Sequence, residues 1–396
     1  MTSIKPLSSW FVLLLSIATG VSVASNYYAQ PLLNTIGNDL HIPLSSTGVI
    51  ITVAQLSYAA GLLFLVPLGD LIERRGLIVS MSLTSMLGLL VSATAQNMTW
   101  LLIGTAITGF FAVVAQVIVP FAASLASPTE RGKVVGTIMS GLLLGILLAR
   151  TAAGFCSYIG SWRTIYFIAA VTLFIIIILL LKTLPRYPAS TKMAYHHLLI
   201  STIGQFIKYP KLIVYGLLGA LNFAVFSLLW TPIALILADT YNYSDLVIGL
   251  FGLIGAAGAL MAPYAGKLAD HGKSNLVITL GFILLIASWL PLAFTAFSVT
   301  LLIIGILILD LAVQSIHVTT MNQVYKINPD SRNRLNACYM LCYFIGGATG
   351  SLSSTWIFAH FGWIGVTIVG ATTATVALLI WILFYIQQRR TTDNEQ

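Results

Sequence analysis

The stretch GILILDLAVQSIHVTTMNQ, Gly305–Gln323, is apolar except for a few polar residues and carries one carboxylate, Asp310. Asp310, Gln314 and His317 recur at helical spacing and so share one face. A run of about 20 apolar residues is long enough to cross the hydrocarbon core of a bilayer. A carboxylate inside a bilayer is costly, and it usually faces a cavity or a partner. The stretch therefore predicts a membrane helix that lines a path.

The rest of the chain has the same character. Its 396 residues are 58% hydrophobic and 8% charged, too few charges for a soluble domain of this length. The spanning segments are about 20 residues long and do not alternate, which excludes a β-barrel. The net charge of +8 could suggest nucleic acid, but the 19 Lys and Arg are placed otherwise. With Met1 on the cytoplasmic side, all of them except Arg150 and Arg163 fall in cytoplasmic loops or tails. This is the positive-inside pattern, and it predicts cytoplasmic termini and no nucleic-acid partner. Cys156, Cys338 and Cys342 lie inside apolar segments without CxxC spacing, so neither a disulfide framework nor a metal site is indicated. No nucleotide-binding loop, HExxH or nucleophile elbow occurs, so no enzyme activity and no cofactor is expected.

Twelve apolar spans are expected, at about 9–33, 46–69, 77–95, 99–126, 134–159, 163–183, 211–238, 245–268, 275–295, 298–325, 335–359 and 363–387. Residues 184–210, with Lys192, His196, His197 and Lys208, form a polar cytoplasmic linker that suits an interfacial helix. The two sides of this linker repeat one another. At a constant offset of 201 residues Gly104 matches Gly305, Pro128 matches Pro329, Arg131 matches Arg332, Gly145 matches Gly346 and Trp162 matches Trp363. Pro31 and Pro232 match at the same offset. Ser22–Asn26 faintly resembles a signal-peptide cleavage site, but span one has a counterpart in the second half, which argues against removal. The fold class expected is an all-α membrane protein of two pseudo-symmetric six-helix bundles, 1–183 and 211–396, an architecture of secondary transporters. In this alignment Asp310 faces Gly109, and His317 faces Gln116.

Between spans two and three lies GDLIERRGLI, Gly69–Ile78, and the second half repeats it as GKLADHG, Gly266–Gly272. This pair resembles the signature loop of the major facilitator superfamily, at Gly69, Leu71, Glu73, Arg74 and Gly76, then at Gly266, Leu268, Asp270 and Gly272. The family has Asp where Glu73 stands and a basic residue where Leu77 stands. The acid is expected to pair with a base or to cap a helix N-terminus and so latch the cytoplasmic side, which makes Gly69, Glu73, Arg74, Gly76 and Asp270 the gate residues. Span five, with Gly136, Gly145, Ala149, Arg150 and Gly154, resembles the fifth-helix motif of the 12-spanner drug:proton antiporters. Ala149-Arg150 replaces the Gly-Pro pair of that motif, and Thr105 stands where those antiporters carry an Arg for proton coupling. The text from Leu309 to Ser351, with NYYAQPLL at Asn26–Leu33 and GSWR at Gly160–Arg163, resembles the bacterial arabinose-efflux-permease-like branch.

The resemblance implies a monomeric bacterial inner-membrane transporter that works by alternating access, with protons and a small molecule as partners in the bilayer. Export driven by protons is favoured. Uptake of an anionic metabolite or siderophore is the alternative, and a non-transporting membrane sensor ranks below both. Spans one, four, seven and ten line the cavity in that fold, which makes Asn26, Gln30, Gln116, Asn222 and Gln314 candidate substrate contacts. Asp310, Arg150 and His317 are the candidates for proton coupling, with Arg150 also a candidate for binding an anionic substrate group. Counted from the cytoplasmic helix ends, Arg150 and the Asp310 counterpart both lie about 24–26 Å deep. Either the two pair directly or they serve two separate sites. His317 either relays protons or lines the inner vestibule.

Overall fold

Lipid cannot satisfy backbone hydrogen bonds, so apolar runs of this kind must satisfy them internally. The computed structural model describes residues 7–127, 130–187, 194–259, 267–328 and 331–395, without the side chains of 259, 269, 270, 389 and 391–395. The described residues form helices and turns and contain no strand. Pro128, Lys192, Gly266, Pro329 and the Asp270 side chain lie outside what is described.

In chain order the helices are α1 (Ser9–Ala24), α2 (Leu33–Asp39), α3 (Gly48–Phe64), α4 (Leu68–Leu71), α5 (Arg74–Ala93), α6 (Met98–Phe111) and α7 (Val114–Leu125). Then come α8 (Arg131–Ile159), α9 (Thr164–Thr183), α10 (Tyr195–Lys208), α11 (Pro210–Trp230), α12 (Ile233–Tyr241) and α13 (Asp245–Ala259). Last are α14 (Ser274–Ala287), α15 (Trp289–Ala293), α16 (Val299–Ile327) and α17 (Arg332–Glu395). Among the described residues nine helical segments are long and apolar enough to cross a membrane, and Ser9–Ala24 and Asp245–Gly258 are shorter apolar helices. One of the nine, 332–388, holds two helices joined at Gly362, whose φ of 63° breaks the helical path.

Five of the expected spans are interrupted among the described residues, two of them at matched prolines. Span one stops at Ala24, turns, and resumes as a 3₁₀ turn at Gln30–Leu32 before α2. Span seven stops at Trp230 and resumes as α12 after Pro232. Pro31 and Pro232, a matched pair in the repeat, lack the N–H a continuing helix needs.

The chain forms two compact units. One takes Met1–Ile42, Val53–Leu199 and Tyr243–Leu250; the other takes Pro43–Thr52, Ile200–Asn242 and Phe251–Gln396. These boundaries differ from a plain division at the linker. Each unit includes the start of one helix from the opposite half of the sequence.

In the first unit α1 lies along α8, and α5 packs on α6 and α9. In the second, α11 lies along α17 and α14 packs on α16. The matched glycines explain the closeness of the two long pairs. A Cβ on Gly145 would sit 2.3 Å from the carbonyl oxygen of Gly20, and one on Gly346 would sit 2.0 Å from that of Ala220. Gly136 has no such role, since nothing lies within 4 Å of its Cβ position; Gly141, packed on Ser16, takes its place beside Gly145.

Arg163, one of the two arginines outside the expected cytoplasmic set, is tied down locally. Its Nη1 donates to Asp39 Oδ2 at 2.8 Å, its Nη2 to the Ala95 carbonyl at 2.8 Å, and it lies over the Trp162 ring. Bonds from Trp162 Nε1 and Arg163 hold the Asp39 carboxyl below its ordinary range.

Candidate functional site

Arg150 sits on α8 and is 4% exposed. Its Nε donates to Gln30 Oε1 at 2.7 Å, and its guanidinium lies 5.2 Å from the Tyr27 ring centroid. Tyr27 and Gln30 lie in the irregular stretch between the end of α1 at Ala24 and the 3₁₀ turn Gln30–Leu32. Gln30 Nε2 is buried and has no hydrogen-bond partner among the described residues. Half-buried Asn26 approaches Gly109, its Oδ1 3.4 Å from where a Cβ on that glycine would be. Gln116 Nε2 donates to Tyr58 Oη at 3.3 Å. The first unit thus gathers Arg150 with Gln30 and Tyr27, and sets Gln116 with Tyr58.

Asp310 sits on α16 in the second unit and is 3% exposed, the one buried acid among the described side chains. Trp230 Nε1 donates to its Oδ1 at 3.2 Å. A Cβ on Gly255 would fall 2.5 Å from Asp310 Oδ2, so α13 approaches the carboxylate through a residue without a side chain. Asn222 Nδ2 donates to the Val313 carbonyl at 3.0 Å, while its buried Oδ1 has no hydrogen-bond partner among the described residues. Gln314 is half-buried, one turn beyond Asp310.

His317 bonds through Nδ1 to Tyr339 Oη at 3.1 Å and packs on Tyr343, centroids 4.4 Å apart. From Tyr343 a ladder of rings runs through Phe223 (4.2 Å), Phe226 (5.4 Å) and Trp230 (6.0 Å) to Asp310. Aromatic packing thus runs alongside the two turns between His317 and Asp310.

The Gly69–Gly76 loop is closed by its acid. Glu73 caps α5, accepting from the backbone N–H groups of Arg75 at 2.9 Å and Gly76 at 2.7 Å, and from Tyr187 N–H at 3.2 Å. Of the two roles expected for this acid, capping is the one observed. Arg74 instead bonds Asp70 at 3.1 Å and the Gly69 carbonyl at 2.8 Å, and lies over the Tyr187 ring. In the second copy the backbone turns at Gly272, whose φ of 79° favours a glycine. Burial pushes the Glu73 carboxyl up, but the three N–H donors and the Arg75 charge outweigh it and hold the group below its usual range. A depressed pKa contributes stability above the ordinary carboxylate range and loses it as pH falls through the lowered one. Glu73→Gln is therefore expected to lower thermal stability at neutral pH by about 1 kcal/mol. The deficit against the native chain is expected to close on acidification.

The all-helical fold with apolar membrane-length segments agrees with the family match. A profile described as Major Facilitator Superfamily matches residues 15–326 and again 215–396. The chain belongs to the major facilitator superfamily. It is 56% identical over 95% of both chains to "Uncharacterized transporter YgaY" of Escherichia coli O157:H7. It is 31% identical to "Probable transporter SCO4007" of Streptomyces coelicolor, over 91% of this chain and 84% of that one. It is 22% identical to a "Probable sugar efflux transporter" of Mannheimia succiniciproducens, over 97% and 96%. The fold matches the crystal structure of a bacterial homologue of the human lysosomal transporter Spinster, with a TM-score of 0.75, 14% identity and coverage of 96% and 97%. As a superfamily member the chain is a multi-pass membrane transporter and not an enzyme.

Asp70 and Tyr187 at the Gly69–Gly76 loop, and Asp245, are not among the residues singled out from sequence. Asp70 sits four residues from Arg74, a helical pair spacing that was available. Tyr187 reaches the loop from 114 residues away in sequence, and nothing local announces it.

Proposed function

We propose that this chain is a proton-driven secondary transporter of the bacterial inner membrane that exports a small organic molecule by alternating access. It acts as a monomer with both termini cytoplasmic. The observation that carries this reading is Asp310, a carboxylate buried in an apolar helix with an indole N–H as its described donor. Such a group is costly in a membrane and is kept where charge must be gained and lost. Asp310 carries the coupling proton, neutral when it meets the acidic side and ionised when its surroundings favour charge. Arg150 supplies fixed positive charge in the first unit. Asn26, Gln30, Gln116, Asn222 and Gln314 provide neutral hydrogen-bonding groups toward the substrate, and His317 is placed with Tyr339 at the inner part of the path. Glu73, Arg74, Gly69, Gly76 and Asp270 form the cytoplasmic gate. The names of relatives 22–24% identical, probable sugar efflux transporters, support export and put sugars among the first compounds to test.

A thermal-shift screen of the purified protein identifies the substrate. A ligand at one hundred times its Kd stabilises the fold by about 2.7 kcal/mol. Flux of that compound is then measured in right-side-out and inside-out vesicles under one imposed pH gradient. Proton-driven export is an exchange, so the compound is expected to accumulate where the lumen is acidic and not when the gradient is reversed; accumulation in an alkaline lumen is symport and overturns it.

The second reading, uptake of an anionic metabolite, rests on Arg150 with Gln30, whose buried Nε2 is one more donor for an anionic group. It predicts that Arg150→Gln weakens binding of the anion by about tenfold or more, the loss expected for one charge-assisted hydrogen bond.

A further inference from the structure

Span eight begins at Asp245, in the first turn of α13, where an acid is favoured by the helix dipole. Its two carboxylate oxygens accept from Thr35 Oγ1 at 2.8 and 2.7 Å, and Oδ2 also accepts from Ser157 Oγ at 2.5 Å. Thr35 belongs to α2 and Ser157 to α8, and all three residues lie in the first unit. One turn further on, α13 meets α8 backbone to backbone. A Cβ on Gly249 would lie 2.6 Å from the Arg150 carbonyl oxygen, and one on Gly154 would lie 2.2 Å from that of Asp245. Thr151 Oγ1 donates to the Gly249 carbonyl at 3.1 Å. The start of a helix from the second sequence half is thus seated on the fifth span of the first half.

The internal repeat shows which part of this crossing is special. At the 201-residue offset Gly249 corresponds to Gly48, Arg150 to Ser351 and Gly154 to Thr355. In the second unit a Cβ on Gly48 would lie 2.4 Å from the Ser351 carbonyl oxygen, and Gly48 N–H donates to Thr355 Oγ1 at 3.2 Å. The close approach is therefore repeated. The carboxylate is not: Asp245 corresponds to Leu44, Ser157 to Phe358 and Thr35 to Ile236. The second crossing is held by neutral bonds, with Thr355 Oγ1 accepting from Gly48 N–H and donating to the Ser45 carbonyl at 3.2 Å, so the carboxylate is an addition to one crossing only.

We propose that Asp245 is a conformational latch. Its bonds to Thr35 and Ser157 hold the start of span eight on the first unit, and their release lets that end of the helix leave α8 during the transport cycle. Hydroxyl donors suit this role, because water replaces them on the carboxylate when the helices part. The proposal rests on the alternating-access reading, but its test needs neither substrate nor gradient.

The test uses the full chain in lipid nanodiscs, with Cys156, Cys338 and Cys342 replaced by serine. Spin labels are attached at Tyr158→Cys and Leu250→Cys, positions 66% and 43% exposed. Electron–electron double resonance is expected to give one short distance in the parent. In Asp245→Ala a second, longer distance is expected to rise about tenfold in population relative to the short one, with a smaller rise in Asp245→Asn. If Asp245→Ala is not monodisperse, the double variant Thr35→Ala/Ser157→Ala, which leaves the acid in place, is expected to give the same longer distance. A distance distribution unchanged in the folded variants overturns the latch. Flux by the native chain with unchanged distances leaves transport standing without the latch. A shifted distribution with no flux of any identified ligand leaves the latch standing without the transport reading.

Discussion

Asp310→Asn is expected to abolish pH-gradient-driven accumulation while leaving a folded protein. The amide has the same shape as the carboxyl, and its oxygen still accepts the bond that Trp230 Nε1 makes at 3.2 Å. Gly255 leaves no slack at this point, so a near-isosteric replacement is the appropriate probe. An amide cannot gain and lose a charge, so the cycle has no coupled proton, and the substrate only equilibrates. Accumulation in proteoliposomes is expected to fall by about tenfold or more, whereas counterflow exchange at equal pH on both sides is retained. Asp310→Ala is the harsher variant. It strands a buried indole N–H and adds a stability cost of about 1–3 kcal/mol to the loss of coupling. Full accumulation by the Asn variant would remove Asp310 from the coupling role.

Gly346→Leu and Gly145→Leu are expected to prevent folding of the unit that carries each residue. In a free helix, replacing Gly by Leu stabilises by nearly 1 kcal/mol, so propensity alone predicts a gain. Packing predicts the opposite sign. A Cβ at Gly346 would stand 2.0 Å from a carbonyl oxygen on α11, and one at Gly145 would stand 2.3 Å from a carbonyl oxygen on α1. The partner atoms are backbone and cannot swing aside as a side chain can. Overpacking of even flexible neighbours costs about 1–3 kcal/mol, and separating two helices forfeits the contacts along their length as well. Gly136→Leu on the same α8 has open space around it and is the internal control. Monodisperse yield and thermal unfolding in detergent separate the cases: loss at 145 and 346, little change at 136.

Much of the architecture was legible because its causes are local or repetitive. Apolar length and loop charge are properties of contiguous sequence, so the spans and their fold class could be read directly. Duplication made pairs such as Gly145/Gly346 and Pro31/Pro232 visible without coordinates, although their meaning, close helix approach and helix interruption, required the structure. Asp310 stood out because a carboxylate in an apolar run is a conspicuous local anomaly. Gln30 was noted as one polar residue among several at the end of span one. Its pairing with Arg150 joins residues 120 apart in sequence and has no local signature. The loop motif leaves two roles open for Glu73, and the geometry shows capping, with Asp70 as the described salt-bridge partner of Arg74. Asp245 escaped notice because an acid at the start of an apolar helix is what ordinary helix-terminus electrostatics already predicts.

By itself the sequence determined that this chain is a duplicated, many-span helical membrane protein with one deeply placed acid. Hydrophobic length, charge asymmetry and an internal repeat are one-dimensional quantities that the bilayer translates directly into structure. Only the tertiary structure decided which polar groups meet: Arg150 with Gln30 and Tyr27, Asp310 with Trp230, Asp245 with Thr35 and Ser157. Those contacts join residues 80 or more apart in sequence, apart in the chain and adjacent only after helices pack. Local pattern carries no information about such pairs, because what brings them together is the closest approach that glycines permit between helices.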